Sequence, residues 1–254
     1  MIVCKSPAEI EKMRAANQLV ARVLEDLAAM VAPGVATADL DAAAEAKVRA
    51  AGAEPAFKGY RGYPATLCAS VNEQVVHGIP NRRALAAGDI VSLDMGVKLN
   101  GYYGDSAVTV AVGPVSEEVT RLLRVTQEAL EAGIAQVKVG GRISDIGHAI
   151  QRFVEAEGFS VVREFVGHGI GAALHEEPQI ANYGEPGRGP RLAEGMTLAI
   201  EPMVNMGKPA VKVLADGWTA VTKDGSLSAH FEHTVAVTKN GPDVLTMKPV
   251  GANH

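Results

Sequence analysis

Two spacings of apolar residues alternate along this chain. From residue 10 onward they recur every three or four positions, at Ile10, Met13, Val20, Leu24 and Leu27, which gives one apolar helical face. Ser6-Pro7-Ala8-Glu9 marks the start of that helix. The serine caps it, the proline sits where no amide partner is needed, and the glutamate reaches back to the cap. Pro33-Gly34 ends it. Further helices are predicted from about Thr37 to Ala51, from Ser116 to Lys138 and from Ser144 to Gly158, with Gly52, Gly140-Gly141 and Gly158 as stops. Between them the spacing shortens. IVSLDMGVKL and YYGDSAVTVAV flank Asn100-Gly101, a dipeptide that accepts the positive φ angles of a two-residue hairpin turn. Asp216-Gly217 and Asp224-Gly225 predict an antiparallel meander from about Met196 to Thr238.

The helix-pair-then-strands plan occurs twice. At an offset of 106 residues, Gly34, Asp39, Leu40 and Gly52 fall on Gly140, Asp145, Ile146 and Gly158 without a gap. No Ser/Pro-rich or highly charged linker intervenes, so we expect one α+β domain, residues 1–254, built of two related halves of about 1–112 and 113–254.

Composition narrows the function by exclusion. A net charge of −5 implies no bulk attraction to nucleic acid or membrane, and no run of about 18 apolar residues exists. The first residues, MIVCKSPAEIEK, carry charges where a signal peptide needs an apolar stretch. Two cysteines, Cys4 and Cys68, make no disulfide framework, and a reducing cytoplasm is expected. His175-Glu176-Glu177 runs into Pro178 and never becomes HExxH.

The chemistry is carried by acidic residues inside apolar strands. A two-residue turn at Asn100-Gly101 makes Gly96 face Asp105 and Asp94 face Ala107, so Asp94 and Asp105 are diagonal neighbours on one sheet face. Taken alone, the pair reads as a solvated face or as two carboxylates sharing a cation. Glu201 in LAIEPMV and Glu232 in FEHTVAV favour the second reading, because an ionised carboxylate in a buried run needs a counter-charge. His168, between glycines in VGHGIG, then becomes the expected nitrogen ligand. Four carboxylates and one imidazole suit Mn, Fe, Co or Zn, and a carboxylate-bridged pair of such ions activates water in hydrolases.

LDMGVKLNGYYGDSA, GHGIG, AIEPM and FEHTVAV, in this order, resemble the five-ligand signature of the pita-bread metallopeptidases. SVNEQVVHGIP, with His77, narrows the resemblance to methionine aminopeptidases, and the lack of an extra N-terminal domain, a zinc-finger segment and a long helical insertion makes the expected match the short, bacterial-like type I form. It covers essentially the whole chain and implies a pseudo-twofold fold, with curved antiparallel sheets enclosing two metals and helices outside. Asp94 and Asp105 would hold one metal; Asp105 and Glu232 would bridge to a second, completed by His168 and Glu201. The implied reaction removes the initiator methionine from nascent chains with a small second residue, by attack of a hydroxide held between the metals. Glu201 is also implied as a proton shuttle, His175 as support for the oxyanion, and His77 as a contact to the scissile nitrogen.

Phe57, Tyr60 and Tyr63, three of only eleven aromatics, sit within seven residues and suit an apolar side-chain pocket. Cys68 and Trp218, and more weakly Leu174, match pocket positions of the family. Asn72 and Ser228 resemble positions around a monovalent cation, whereas His148, His233 and His254 acquire no catalytic role. The expected protein is a cytoplasmic monomer with no membrane or direct nucleic-acid contact, and a transient ribosome contact is compatible with it. The rival readings are an X-Pro aminopeptidase of the same fold and a non-catalytic binding protein built on it.

Overall fold

A computed structural model describes residues 1–247; His254 lies outside them. Its elements, in order, begin with α1 (Pro7–Met30), α2 (Thr37–Ala50), β1 (Glu54–Pro55), β2 (Cys68–Val71), β3 (Gln74–Val76), β4 (Ile90–Leu99) and β5 (Tyr102–Ala111). There follow α3 (Glu117–Ile134), α4 (Ile143–Ala156), β6 (Ser160–Val161), β7 (Gly167–Gly169), β8 (Glu176–Ile180), β9 (Thr197–Ile200) and β10 (Met203–Asn205). The last are β11 (Val211–Val213), β12 (Ala220–Thr222), β13 (Ser228–His230), β14 (His233–Thr238) and β15 (Gly241–Val244).

The start of α1 is set by its cap: Ser6 Oγ accepts from Glu9 N and Glu9 Oε2 accepts from Ser6 N, at 3.4 and 2.7 Å. Its apolar face, including Met13, Val20, Leu24 and Leu27, is buried. Each such side chain contributes about 1.5–3 kcal/mol by leaving water. Gly104 on β5 lets the helix approach, since a side chain there would meet the backbone of Ala16 and Asn17 at 2.7 Å. Asn17 in turn accepts Asp105 N on its Oδ1 at 3.2 Å, so the helix grips the strand of a candidate ligand from behind.

β4 and β5 pair in the register that the turn predicts, Leu99 with Tyr102, Gly96 with Asp105 and Asp94 with Ala107. Asn100 and Gly101 take φ of 53° and 83°, as a type I′ turn requires. Val91, Leu93, Met95 and Val97 are fully buried on one face. The Asp94 face is not solvated either: Asp94 is 9% and Asp105 3% exposed, covered by strands of the second half. The two halves join there through the bridge between Ala107 and Glu232.

The repeat has a structural counterpart. α2 and α4 are both 14 residues long, Leu40 and Ile146 are fully buried, and Gly52 and Gly158 follow with φ of 72° and 80°. Gly34 N donates to Leu85 O and Gly140 N to Leu192 O, both at 2.8 Å. The result, among the described residues, is an α+β fold with four α-helices and antiparallel sheets, none closed into a barrel.

Two expectations are corrected. α3 ends at Ile134 rather than Lys138, because Gln136 N and Val137 N switch to the tighter i→i+3 pattern that turns Val137 into the core. The stretch from Met196 to Thr238 is not one meander. Pro202, which has no amide to donate, follows β9, and the strands disperse: β9 pairs with β14 and β7, β10 with β13 and β6, and β12 with β11 and β3. The Asp224-Gly225 turn thus passes the chain from one sheet to another, and β12 reaches into the first half.

Candidate metal centre and substrate cavity

Glu201 follows β9 and Glu232 precedes β14, and these strands pair antiparallel with Ile200 opposite His233. The pairing brings both glutamates to the end of the ladder, where the Ala107 bridge holds Glu232 against the Asp105 strand. His168 occupies the middle of β7, between β8 and β9. Its glycine neighbours are steric necessities: a side chain on Gly167 would strike Ala199 O, and one on Gly169 would strike Glu177 O. Ligand atoms of Asp105, His168 and Glu232 all lie within 4.8 Å of one another, and His168 Nε2 is 3.5 Å from Glu201 Oε1.

His168 Nδ1 lies 2.9 Å from Gly169 O. A carbonyl only accepts, so Nδ1 carries the proton and Nε2 keeps its lone pair toward the carboxylates, the tautomer a metal needs. Asp94 Oδ1, Asp105 Oδ1 and Glu232 Oε1 are buried with no hydrogen-bond partner. Among the described residues no lysine or arginine pairs with any of the four carboxylates; their ion-pair contacts are to His168 and His230. Burial pushes Asp94 up to about 7, and burial with mutual repulsion raises Asp105, Glu201 and Glu232 as well. Burial holds His168 neutral, with its pKa down to about 3. Orphaned acceptors, missing counter-charge and a lone-pair imidazole together fit hard-to-borderline divalent cations.

The cluster is the floor of a cavity of about 430 Å³. Every residue singled out from the sequence for the metal, catalytic or pocket roles reaches it: Asp94, Asp105, His168, Glu201 and Glu232 below, with His77, His175, Phe57, Tyr60, Tyr63, Cys68, Leu174 and Trp218 around the walls. Tyr63 spends its hydroxyl on Leu67 O and Gly78 O, at 3.1 and 3.0 Å, and so offers only its ring, edge-on to Trp218. Burial, then the facing Asp94, raise the Cys68 thiol, which lines the slot as a neutral group. Gly96 leaves room for Phe57, whose Cε1 would lie 2.9 Å from a side chain there.

His77 follows β3 with φ of 60°, in the left-handed region that few non-glycine residues adopt. Its ring stands edge-on to Phe165 and Trp218, and burial followed by His175 lowers its pKa to about 4. His175 stacks on Tyr60, pairs Nδ1 with the Tyr60 hydroxyl at 2.9 Å, and lies 4.2 Å, ring to ring, from His168. Burial, then Arg61, depress its pKa, so both histidines are uncharged at neutral pH.

Sequence reasoning missed several lining groups, namely Arg61, Val76, Glu164, Phe165, Val166 and Gln179, and also His230 behind Glu201. Gln179 was legible only through its cross-strand pairing with His168. His230 carried a usable signal, since strand alternation places it on the same face as Glu232. It is fully buried, both ring nitrogens lack a partner, and Nε2 stands 3.9 Å from Glu201 Oε2. His233 points away, bonding Thr246 Oγ1 at 2.8 Å beneath α1 and α3.

Curved sheets meeting around a buried Asp–Asp–His–Glu–Glu cluster define a metallopeptidase of the pita-bread type. The chain belongs to metallopeptidase family M24, whose family model matches residues 11–239. It is 55% identical to methionine aminopeptidase 1 of Bacillus subtilis over 246 residues, covering 97% of this chain and 99% of that one. The methionine aminopeptidase structure from Thermotoga maritima superposes with a TM-score of 0.96 at 50% identity, covering 98% of this chain and all of that one. A prolidase from Pyrococcus furiosus, 23% identical with a TM-score of 0.80, shares the fold; this chain covers 66% of it.

Proposed function

We propose that this metal-dependent peptidase removes the N-terminal methionine from newly made polypeptides whose second residue is small. The observation that carries the reading is one cavity with two unlike parts, a carboxylate floor and an aromatic slot. Asp94, Asp105, His168, Glu201 and Glu232 would hold two divalent ions, whose four positive charges balance the four carboxylates. When bound, these ions supply Lewis acidity toward the scissile carbonyl and the attacking water.

The chain's own residues do the rest. Phe57, Tyr60, Tyr63, Cys68, Leu174 and Trp218 take the thioether side chain, which gains sulfur–aromatic contacts and leaves water. A lysine or aspartate side chain would lose its solvation there, a cost of several kcal/mol. His175, neutral and fixed through Tyr60, has Nε2 free to donate toward the developing oxyanion. His77 contacts the scissile nitrogen, and Glu201 carries the proton from the attacking water to the leaving amine. Asn72 donates its side-chain amide to Asp89 and accepts Ile90 N, so a monovalent cation near Ser228 would be held by backbone carbonyls and the serine hydroxyl instead. We further propose a monomer of one catalytic domain working in the cytoplasm.

Neither rival is favoured: the X-Pro reading rests on a likeness that reaches only the fold, and the binding-protein reading leaves a complete ligand set without purpose. The test is turnover of Met-X-Ser peptides by metal-stripped protein with Mn, Co, Fe or Zn restored. Met-Ala should be cleaved and Met-Lys and Leu-Ala rejected. Equal cleavage of Met-Ala and Met-Lys, or preference for leucine first, would refute the assignment, and full activity without metal would refute the centre itself.

A further inference from the structure

The cavity accounts for the middle of the chain, but not for the burial of a charge near its beginning. Among the described residues Lys5 is the one buried lysine or arginine, its side chain 4% exposed, and it lies before the first helix. Its ammonium donates to Val3 O at 3.0 Å and forms an ion pair with Glu176, the residue after His175. The other carboxylate oxygen of Glu176 accepts Ala173 N at 3.1 Å, closing the loop that carries His175. Lys5 N donates to Gly195 O at 2.7 Å, which fixes the ammonium's own segment just before β9.

Beyond the Tyr60 contacts of His175 and the burial of Leu174, that loop, residues 171–175, has few anchors. It contains no helix or strand, and its backbone bonds are Gly171 N to Ala173 O at 3.0 Å and Tyr103 N to Gly171 O at 2.9 Å. Gly171 is small where the ion pair passes, since a side chain there would collide with Lys5 and Glu176. Between buried Leu174 and anchored Glu176, His175 projects to within 4.2 Å of the His168 ring. A buried charge whose partner is removed is left uncompensated, so breaking this pair disturbs the loop rather than merely loosening the surface.

We propose that Lys5 is a positioning residue, whose buried ion pair with Glu176 latches the N-terminal segment to the 171–176 loop and thereby holds His175 over the metal ligands. The proposal rests on the reading of His175 as the oxyanion donor. A displacement of about 1 Å at such a donor lowers turnover by up to roughly a hundredfold. Lys5→Met should therefore lower kcat about 10- to 100-fold, with KM and bound metal little changed. His175→Ala should lower kcat as well, and adding Lys5→Met to it should have little further effect, because both changes remove one function.

The experiment is that double-mutant cycle on the metal-loaded full chain, with KM, kcat and elemental analysis for each variant. Glu176→Gln replaces Lys5→Met in the same cycle if the first variant does not fold. Wild-type kcat for Lys5→Met beside an impaired His175→Ala would overturn the latch alone. An undiminished Lys5→Met effect in the His175→Ala background would also overturn it, showing a general structural role. Full activity of His175→Ala would overturn the latch together with the reading of His175.

Discussion

The two halves deliver their carboxylates by different means. In the first, Asp94 and Asp105 ride on two unbroken ten-residue strands joined by a two-residue turn, and their diagonal placement follows from the local register. In the second, Glu201 and Glu232 sit just outside the ends of short strands, beside Pro202, and meet only because β9 pairs with β14. A regular hairpin thus fixes one pair of carboxylates by itself, whereas the other pair depends on long-range pairing and on the Ala107–Glu232 bridge. The difference shows why the carboxylate cluster needs both halves folded together.

The largest effects should come from removing one ligand of each kind. Asp105→Asn and Glu232→Gln each keep the side chain's size while deleting a charge, and each should lower kcat/KM by more than about a hundredfold, beyond the effect of losing an outer partner of a ligand. Metal content by elemental analysis should fall in both. Wild-type metal content in Glu232→Gln would show that the second half is not a full partner in the centre.

Glycine substitutions sharpen the comparison through sterics. Gly167→Ala would push against Ala199 O in a paired strand of the second half, which cannot yield without breaking the ladder, so a loss of about 2–3 kcal/mol in denaturant stability is expected. Gly96→Ala on the first-half hairpin meets chiefly the Phe57 ring, which can swing aside. It should cost about 1 kcal/mol or less and act instead on the slot, raising KM for Met-Ala peptides. The reverse order of stabilities would contradict this account.

The last effect is a pH dependence of the metal-free protein. Asp94, ordinarily 3.8, titrates near 7 when folded, and burial with repulsion among the carboxylates raises Glu201 and Glu232 as well. Between these values the unfolded chain has already released the proton that the folded chain retains, so stability present at low pH is lost as pH rises. The chelated protein should melt about 3–6 °C lower per pH unit and per such carboxylate between pH 5 and 7. Divalent metal should abolish the slope, and Glu232→Gln should flatten it more than Asp94→Asn, since Glu232 faces three other carboxylates and Asp94 is raised by burial alone. A flat or rising melting curve for the chelated wild type would contradict the buried-carboxylate picture.

What the sequence determined by itself is what neighbouring residues decide among themselves. Ser6, Pro7 and Glu9 specify the start of α1, Asn100-Gly101 specifies the register that puts Asp94 and Asp105 on one face, and Glu201 and Glu232 inside apolar runs of the sequence announce buried charge, although both stand just beyond strand ends. Glycines beside His168 announce a close approach, though not that the approaching groups are the backbones of β8 and β9. The rest required the assembled chain. The slot draws Phe57, Leu174 and Trp218 from distant segments, β12 leaves its sequence neighbours to pair with β3, and Lys5 finds Glu176 across 171 positions. His230 ends with two unpartnered nitrogens behind Glu201 for the same reason. A two-residue turn leaves a hairpin almost no alternative pairing, but contacts between remote segments are chosen by how the buried faces of both halves pack together, and no local pattern encodes that choice.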